Sequence, residues 1–221
     1  MLRAAIKAGV ERFIYFSTAH VYGSPLAGVL TENSLPRPQH PYAITHRTAE
    51  DFVLAAWDKK EIEGIVVRLS NGFGAPERAD VNRWTLLAND LCKQAVVDKK
   101  LVMRSSGLQS RDFITLEDVA RAVLHLLNLP AQACGNGLFN LGGENAMRII
   151  DVAQRVADRS EAALGFRPEV QRPLPAPGET TIPLDYRIDK LKATGFSLLS
   201  NMDKEIDNTL KLCHHVFGAL D

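Results

Sequence analysis

A tyrosine and a histidine stand four residues apart in the segment HPYAITHRTAE, as Tyr42 and His46. Side chains at positions i and i+4 lie on the same face of an α-helix, so this pair can act together. A phenol can give or take the proton of an alcohol, and a nearby cation makes the phenolate accessible from its usual pKa of about 10. The spacing therefore predicts proton transfer at a substrate hydroxyl, as hydride-transfer chemistry on an alcohol requires.

Three further polar clusters stand where predicted strands begin or end. They are Ser17 and Thr18 after RFIYF, Ser70 and Asn71 after IEGIVVRL, and Arg111 at the head of RDFIT. In an open parallel sheet, ligands bind at the carboxyl ends of the strands, where the start of the tyrosine-bearing helix also lies. We expect a Ser/Thr hydroxyl from these clusters to orient the substrate oxygen beside the phenol.

Strands and helices alternate along the rest of the sequence. Short apolar runs rich in β-branched residues predict strands at 12–18 and 62–70, from 100, from 111 and at 137–143. Apolar residues at helical spacing predict helices at 42–60, near 82–97, from the strand at 111 to Pro130, at 148–164 and at 202–217. The order strand, helix, strand implies parallel crossover connections, so we expect an α/β fold.

Two stretches fall outside this alternation. The first residues, MLRAAIKAGV, are predicted to end a helix, with Gly9 in the left-handed capping conformation and Val10 packing back on the helix. The segment 167–183, RPEVQRPLPAPGETTIP, is rich in proline and is predicted to be an ordered but irregular loop.

The composition is that of a globular protein without a global charge. The chain has 221 residues, 46% of them hydrophobic, which allows one large or two small domains and argues against disorder and membrane spanning. Its 26 basic and 26 acidic side chains balance, so no overall field attracts nucleic acid or an anionic membrane. Cys92, Cys134 and Cys213 lack the spacing of a metal site, and free thiols favour the reducing cytoplasm.

Four motifs follow one another along nearly the whole chain: ERFIYFSTAHVYG, PYAITHRTAE, VVRLSNGFGAP and SRDFITLEDVARAVLHLL. In order and spacing they resemble those of the extended short-chain dehydrogenase/reductase family, the NAD-dependent sugar epimerases and dehydratases. The resemblance implies the carboxyl-terminal part of a Rossmann-like doubly wound parallel sheet with a small α/β substrate-binding lobe. The Rossmann-like part would comprise residues 1–75 and 108–143, and the lobe residues 76–107 and 144–221.

The resemblance also implies roles for individual residues. The catalytic residues would be Thr18, Tyr42 and His46, with His46 at the position of a family lysine. Contacts to an NAD or NADP cofactor would come from Ser17, Tyr42, His46 and Leu69. The diphosphate of a nucleotide-sugar would be held by Asn71 and Arg111, with another substrate contact from Asn82. Family members are often dimers through the tyrosine helix, which implies a homodimer.

Three features differ from the family pattern. The first strand and the GxxGxxG turn that hold the cofactor pyrophosphate have no counterpart, so we expect a truncated form of a family member. Ala176 stands where many members have a phosphate-binding arginine, with Arg172 nearby. The third difference is His46 at the position of the family lysine. A permanent cation such as lysine, about 4 Å from a phenol, favours phenolate by about 4 kcal/mol at an effective dielectric near 20. Histidine is mostly neutral at pH 7, so His46 would assist Tyr42 more weakly.

Several alternatives stay open on the sequence alone. The chain is either an epimerase or dehydratase, or a relative without catalysis that acts by binding or association. Asn71 is equally well a turn residue, Arg111 a surface ion pair with Asp112, and His46 an exposed helix residue. No role is assigned to His20, His125, His214 and His215. The open edge of the strand at 12–18 predicts self-association.

Overall fold

The elements of the chain follow the predicted alternation through most of its length. The computed structural model describes residues 1–81 and 83–218. The helices are α1 (Leu2–Lys7), α2 (Pro41–Asp58), α3 (Leu87–Val97), α4 (Leu116–Asn128), α5 (Ile149–Leu164), α6 (Asp189–Lys192) and α7 (Met202–Phe217). The strands are β1 (Arg12–Thr18), β2 (Gly28–Leu30), β3 (Glu63–Leu69), β4 (Asn71–Phe73), β5 (Lys100–Val102), β6 (Ser110–Thr115), β7 (Leu138–Leu141), β8 (Ala146–Arg148), β9 (Glu169–Gln171) and β10 (Leu184–Tyr186).

A parallel sheet of order β1-β3-β7 is the part of the fold that positions the site. The central strand β3 is apolar and fully buried from Ile65 to Val67, as expected for a strand covered on both faces. In its register with β1, Thr18 pairs with Leu69, so both strands end together. The predicted α/β class with a parallel sheet is confirmed, and the carboxyl ends of β1 and β3 meet at one edge.

Short strands extend this framework around the site. β4 and β6 pair in parallel, with Asn71 opposite Phe113, and β8 joins β6 in antiparallel orientation. Two further parallel pairs, β2 with β10 and β5 with β9, connect distant parts of the chain. β2, β4, β8, β9 and β10 were not predicted, because three residues are too few to show a hydrophobic period.

Two hydrophobic cores support these strands. The first lies where α3, α5 and α7 pack together, with Leu91, Val152 and Ile206 at its centre. The second lies between the main sheet and α4 and α6, and it includes Leu126 and Leu191. Ion pairs between α5 and α7 flank the first core.

Three expectations about local structure were wrong in part. α3 begins at Leu87 rather than near 82, because Trp84 is buried and its indole nitrogen donates to the carbonyl of Ala79 at 3.0 Å, within a turn. Gly9 does adopt a positive φ of 68°, but Val10 stays 43% exposed and contributes its backbone N–H instead of its side chain. The proline-rich segment contains the strand β9.

Within residues 1–81 and 83–218, no helix combines the length and the apolar character needed to cross a bilayer.

Candidate functional site

A cavity of about 760 Å³ opens at the carboxyl ends of β1 and β3. It brings together six of the residues singled out from the sequence, namely Thr18, Tyr42, Leu69, Ser70, Asn71 and Arg111. Ser17 and His46 do not line it. Asn82 lies outside the described residues. Among the described residues, the side chains predicted to form the site therefore converge, except for Ser17 and His46.

Tyr42 reaches the cavity from the first turn of α2. Pro41 occupies the first position of the helix, where a missing N–H costs nothing, and the ring of His40 caps the helix by accepting from the N–H of Tyr42 at 3.2 Å. The Tyr42 side chain is 52% exposed, so its phenol is accessible to a ligand. The amino end of α2 thus presents this hydroxyl at the mouth of the cavity.

Thr18 is the buried hydroxyl of the site, at the last residue of β1. Its oxygen accepts a hydrogen bond from the backbone N–H of His20 at 3.2 Å, in the short 3₁₀ turn that follows the strand. A threonine hydroxyl has one proton to donate in addition to its acceptor lone pairs. That proton remains available for an oxygen atom of a ligand in the cavity.

His46 lies behind Tyr42 on α2, as the spacing predicts. The two rings meet edge to face with centroids 4.4 Å apart. The Nδ1 atom of His46 is also 2.9 Å from the hydroxyl of Tyr15 on β1. His46 is therefore next to the phenol but outside the cavity wall.

Arg111 provides a cation in the wall of the cavity. The alternative of an ion pair with Asp112 is wrong: within the described chain Arg111 forms no ion pair, and its buried Nε has no hydrogen-bond partner. The Asp112 carboxylate instead accepts from the N–H groups of Gly143 at 2.9 Å and Asn145 at 2.8 Å. Burial lowers the pKa of Arg111, because no described carboxylate compensates for the lost water.

Asn71 combines a structural contact with a place in the cavity. Its side-chain nitrogen donates to the carbonyl of Asp112 at 2.9 Å, which ties β4 to β6. The same residue lines the cavity, as does Leu69 at the end of β3. The amide oxygen of Asn71 is the atom left to contact a ligand.

Ser17 faces the opposite side of β1 from Thr18, because successive strand residues alternate between faces. Its hydroxyl donates to Glu50 on α2 at 2.6 Å. Glu50 also accepts from Arg68 of β3 at 3.0 and 2.7 Å, and the guanidinium of Arg68 lies over the ring of Tyr22 at 4.8 Å. The expected cofactor residue Ser17 is thus part of a buried network that fixes α2 on the sheet.

His20 is a cavity residue that the sequence analysis passed over. Burial, the charge of Arg111 and the nearby His40 all lower the pKa of His20. Its imidazole is therefore neutral at pH 7 and offers hydrogen bonds to a ligand without adding charge. Its position two residues after Thr18, at a strand end, was the signal available in the sequence.

The glycine turns that follow β4 and β7 do not fit the pyrophosphate of a dinucleotide cofactor. Such a cradle needs glycines that leave the backbone open to the ligand between a strand and a helix. An added Cβ at Gly74 would collide with the carboxylate of Glu205, and one at Gly143 with the carbonyl of Phe113, so protein atoms already fill the space. Among the described residues, no cluster of His, Cys, Asp and Glu suits a metal ion either.

The cavity as a whole suits a hydroxylated anion. A donor hydroxyl, an accessible phenol and a guanidinium without a carboxylate partner face one space, at Thr18, Tyr42 and Arg111. A guanidinium binds phosphate oxygens through its fork of N–H groups, and a phenol exchanges protons with an alcohol. A sugar carried on a diphosphate has both functions.

Comparison with known proteins agrees with this chemistry. The pattern of the family described as "NAD dependent epimerase/dehydratase family" matches residues 1–142. The dTDP-D-glucose 4,6-dehydratase of Mus musculus is 31% identical over 159 residues, which is 71% of this chain and 42% of that protein. The chain therefore spans less than half the length of this relative.

Solved structures share the fold over nearly the whole chain. The UDP-glucuronic acid 4-epimerase from Bacillus cereus, in complex with UDP-glucuronic acid and NAD, superposes with a TM-score of 0.77 at 23% identity. The match covers 98% of this chain and 65% of that one. RMD from Pseudomonas aeruginosa, complexed with NADPH, gives 0.77 at 21% identity, covering 97% and 71%. The chain belongs to the NAD dependent epimerase/dehydratase family.

Proposed function

We propose that the chain carries the substrate side of a nucleotide-sugar epimerase or dehydratase, in which a Thr/Tyr pair acts on a sugar hydroxyl that is transiently oxidised. The observation that carries the proposal is the unpaired guanidinium of Arg111 in the same cavity as Thr18 and Tyr42. Burying a cation without a partner is costly unless a ligand compensates for it. The diphosphate of a nucleotide-sugar is such a ligand.

Each residue has a defined task in this proposal. Thr18 donates its proton to the sugar oxygen and orients it, while Tyr42 takes the proton from that hydroxyl and returns it later. Arg111 and the amide oxygen of Asn71 bind the diphosphate and its neighbouring hydroxyls. Ser17, Leu69 and His46 remain predicted cofactor contacts, and Asn82 a predicted substrate contact. The cofactor proposed for the complete protein is NAD or NADP, whose pyrophosphate requires residues beyond those described here.

The same proposal divides the chain into a Rossmann-like part and a substrate-binding lobe. Residues 1–75 and 108–143 would form the Rossmann-like part, and 76–107 and 144–221 the substrate lobe. The core formed by α3, α5 and α7 supports this division, since all three helices come from the second set.

Buried free thiols at all three cysteines support a cytoplasmic location. Sedimentation tests the proposed homodimer; a clean monomer at high concentration contradicts it.

A second candidate function is binding without catalysis. It is favoured by the filled space at Gly74 and Gly143, which leaves no room for a cofactor pyrophosphate at those two turns. Calorimetry with NAD separates the two candidates for this chain. Micromolar binding supports the enzyme, and no binding up to millimolar NAD supports the binding protein.

Calorimetry with UDP-glucose and dTDP-glucose tests the shared part of both candidates. We expect micromolar to submillimolar affinity for at least one of them and none for free glucose. Arg111→Met should weaken binding strongly, whereas the matched control Arg104→Met, at an exposed arginine outside the cavity, should not. Equal affinity of the wild type and Arg111→Met, or no binding at millimolar nucleotide-sugar, refutes the proposal.

A further inference from the structure

The ring of His46 is held between two phenols that come from different elements. Tyr15 on β1 places its hydroxyl 2.9 Å from Nδ1, with ring centroids 5.7 Å apart. Tyr42, one turn earlier on α2, contacts the imidazole edge to face, with ring centroids 4.4 Å apart. The orientation of the imidazole is therefore set from β1 as well as from its own helix.

The hydrogen bond to Nδ1 determines which nitrogen carries the proton. A neutral imidazole has one N–H and one acceptor nitrogen, and the partner of one nitrogen decides the state of the other. Burial and the nearby Glu50 and Tyr42 raise the pKa of Tyr15, so its phenol keeps its proton at neutral pH and has that proton to donate. An imidazole nitrogen is a stronger acceptor than a phenol oxygen, which favours Tyr15 as the donor in this pair. Nδ1 of His46 then accepts, and the imidazole proton resides on Nε2.

Nε2 is the free end of this arrangement. Within residues 1–81 and 83–218, the hydrogen bond to Tyr15 is the one that His46 makes through its ring. The ring is half-buried, so Nε2–H can donate to a hydroxyl oxygen that enters beside Tyr42. Histidine would thereby supply the donor function of the family lysine without its permanent charge.

We propose that Tyr15 is a positioning residue that fixes His46 as the Nε2–H tautomer beside Tyr42. The tautomer follows from the contacts within the chain, and only its use by a hydroxyl-bearing ligand rests on the proposed function. The family resemblance assigns no role to Tyr15, whose phenol acts here through His46 and not on the substrate.

Nitrogen NMR of the ¹⁵N-labelled chain, at about pH 8 where an ordinary imidazole is neutral, tests the proposal. In the wild type we expect an unprotonated Nδ1 and a protonated Nε2 at His46. Tyr15→Phe should move both nitrogen resonances toward those of a freely exchanging imidazole. The matched variant Tyr42→Phe keeps the ring contact without the hydroxyl and should leave the His46 tautomer unchanged.

The same spectra contain their own reference. His125 bonds Thr194 through Nε2 at 2.7 Å, far from β1 in sequence, so its resonances should stay in place in a folded Tyr15→Phe protein. A proton on Nδ1 in the wild type overturns the proposal without any variant, and so do unchanged His46 resonances in folded Tyr15→Phe. Neither outcome depends on nucleotide-sugar binding, which keeps this test separate from that of the proposed function.

Discussion

Arg68 and Arg111 project from neighbouring parts of the fold, yet their surroundings are opposite. Arg68 is 1% exposed and forms two hydrogen bonds with the carboxylate of Glu50, itself 0% exposed. Burial alone would lower the pKa of Arg68, but the bonds to Glu50 and the Tyr22 ring raise it above its usual value. Arg111 is half-buried and has only the lowering effect of burial on its pKa.

The difference separates a structural cation from one that is kept for a ligand. A buried charge costs several kcal/mol unless a partner restores what water gave. Arg68 has that partner in Glu50, in a fully buried place behind α2, whereas Arg111 has no ion-pair partner among the described residues where the cavity opens. Removing the charge should therefore lower the stability of the protein at Arg68 and its affinity for a ligand at Arg111.

The largest expected effect is on stability, at Glu50. Glu50→Gln leaves Arg68 without its counter-charge in a fully buried place and should lower the free energy of unfolding by about 3–5 kcal/mol. Urea denaturation measures it. The control Asp151→Asn breaks the exposed pair with Arg148 and should cost less than about 1 kcal/mol. Equal losses for the two variants would remove the distinction between buried and surface pairs.

The next effect is on binding, at Arg111. Arg111→Met should reduce nucleotide-sugar affinity about 10- to 150-fold, as expected for loss of charged hydrogen bonds worth about 1.5–3 kcal/mol. Its stability should not fall, because within the described chain the removed guanidinium forms no ion pair, whereas that of Arg68 is paired with Glu50. Arg68→Met should do the reverse and lower stability. Calorimetry and urea denaturation of both variants measure the two effects, and a stability loss at Arg111 as large as at Arg68 contradicts the comparison.

The smallest effect concerns a paired carboxylate at the surface. The hydrogen bond from Arg155 holds the pKa of Asp203 below its usual value. A lowered folded-state pKa adds stability above the unfolded pKa of about 4, and this contribution is lost as the pH falls through the folded value. Both side chains are 37% exposed, so screening limits the effect to below about 1 kcal/mol. Asp203→Asn should therefore cost a little at pH 7 and nothing near pH 2; a cost that grows with acidity has the wrong sign.

Much of the fold was predictable because its long elements repeat a pattern. β1 and α7 occur at the predicted bounds, and α2 lies within two residues of them. Apart from β5, the three-residue strands escaped prediction because their pairing is decided by distant partners, such as β10 for β2.

The site was predictable where position along one element decides it. Tyr42 and His46 share a helix face, and Thr18 ends a strand. Ser17 could have been separated from Thr18 by the alternation of strand residues alone. The network of Glu50 and Arg68 joins residues 18 positions apart on different elements, and only an arginine within an apolar strand hinted at a buried partner.

Phosphorus NMR of UDP-glucose tests most directly whether Arg111 is kept unpaired for a diphosphate. On addition of the wild-type chain, both phosphorus resonances should shift or broaden with saturation. They should do so equally with Arg104→Met and far less with Arg111→Met. Phosphorus resonances that neither shift nor broaden with the wild-type chain, or that change equally with Arg111→Met, would contradict this account.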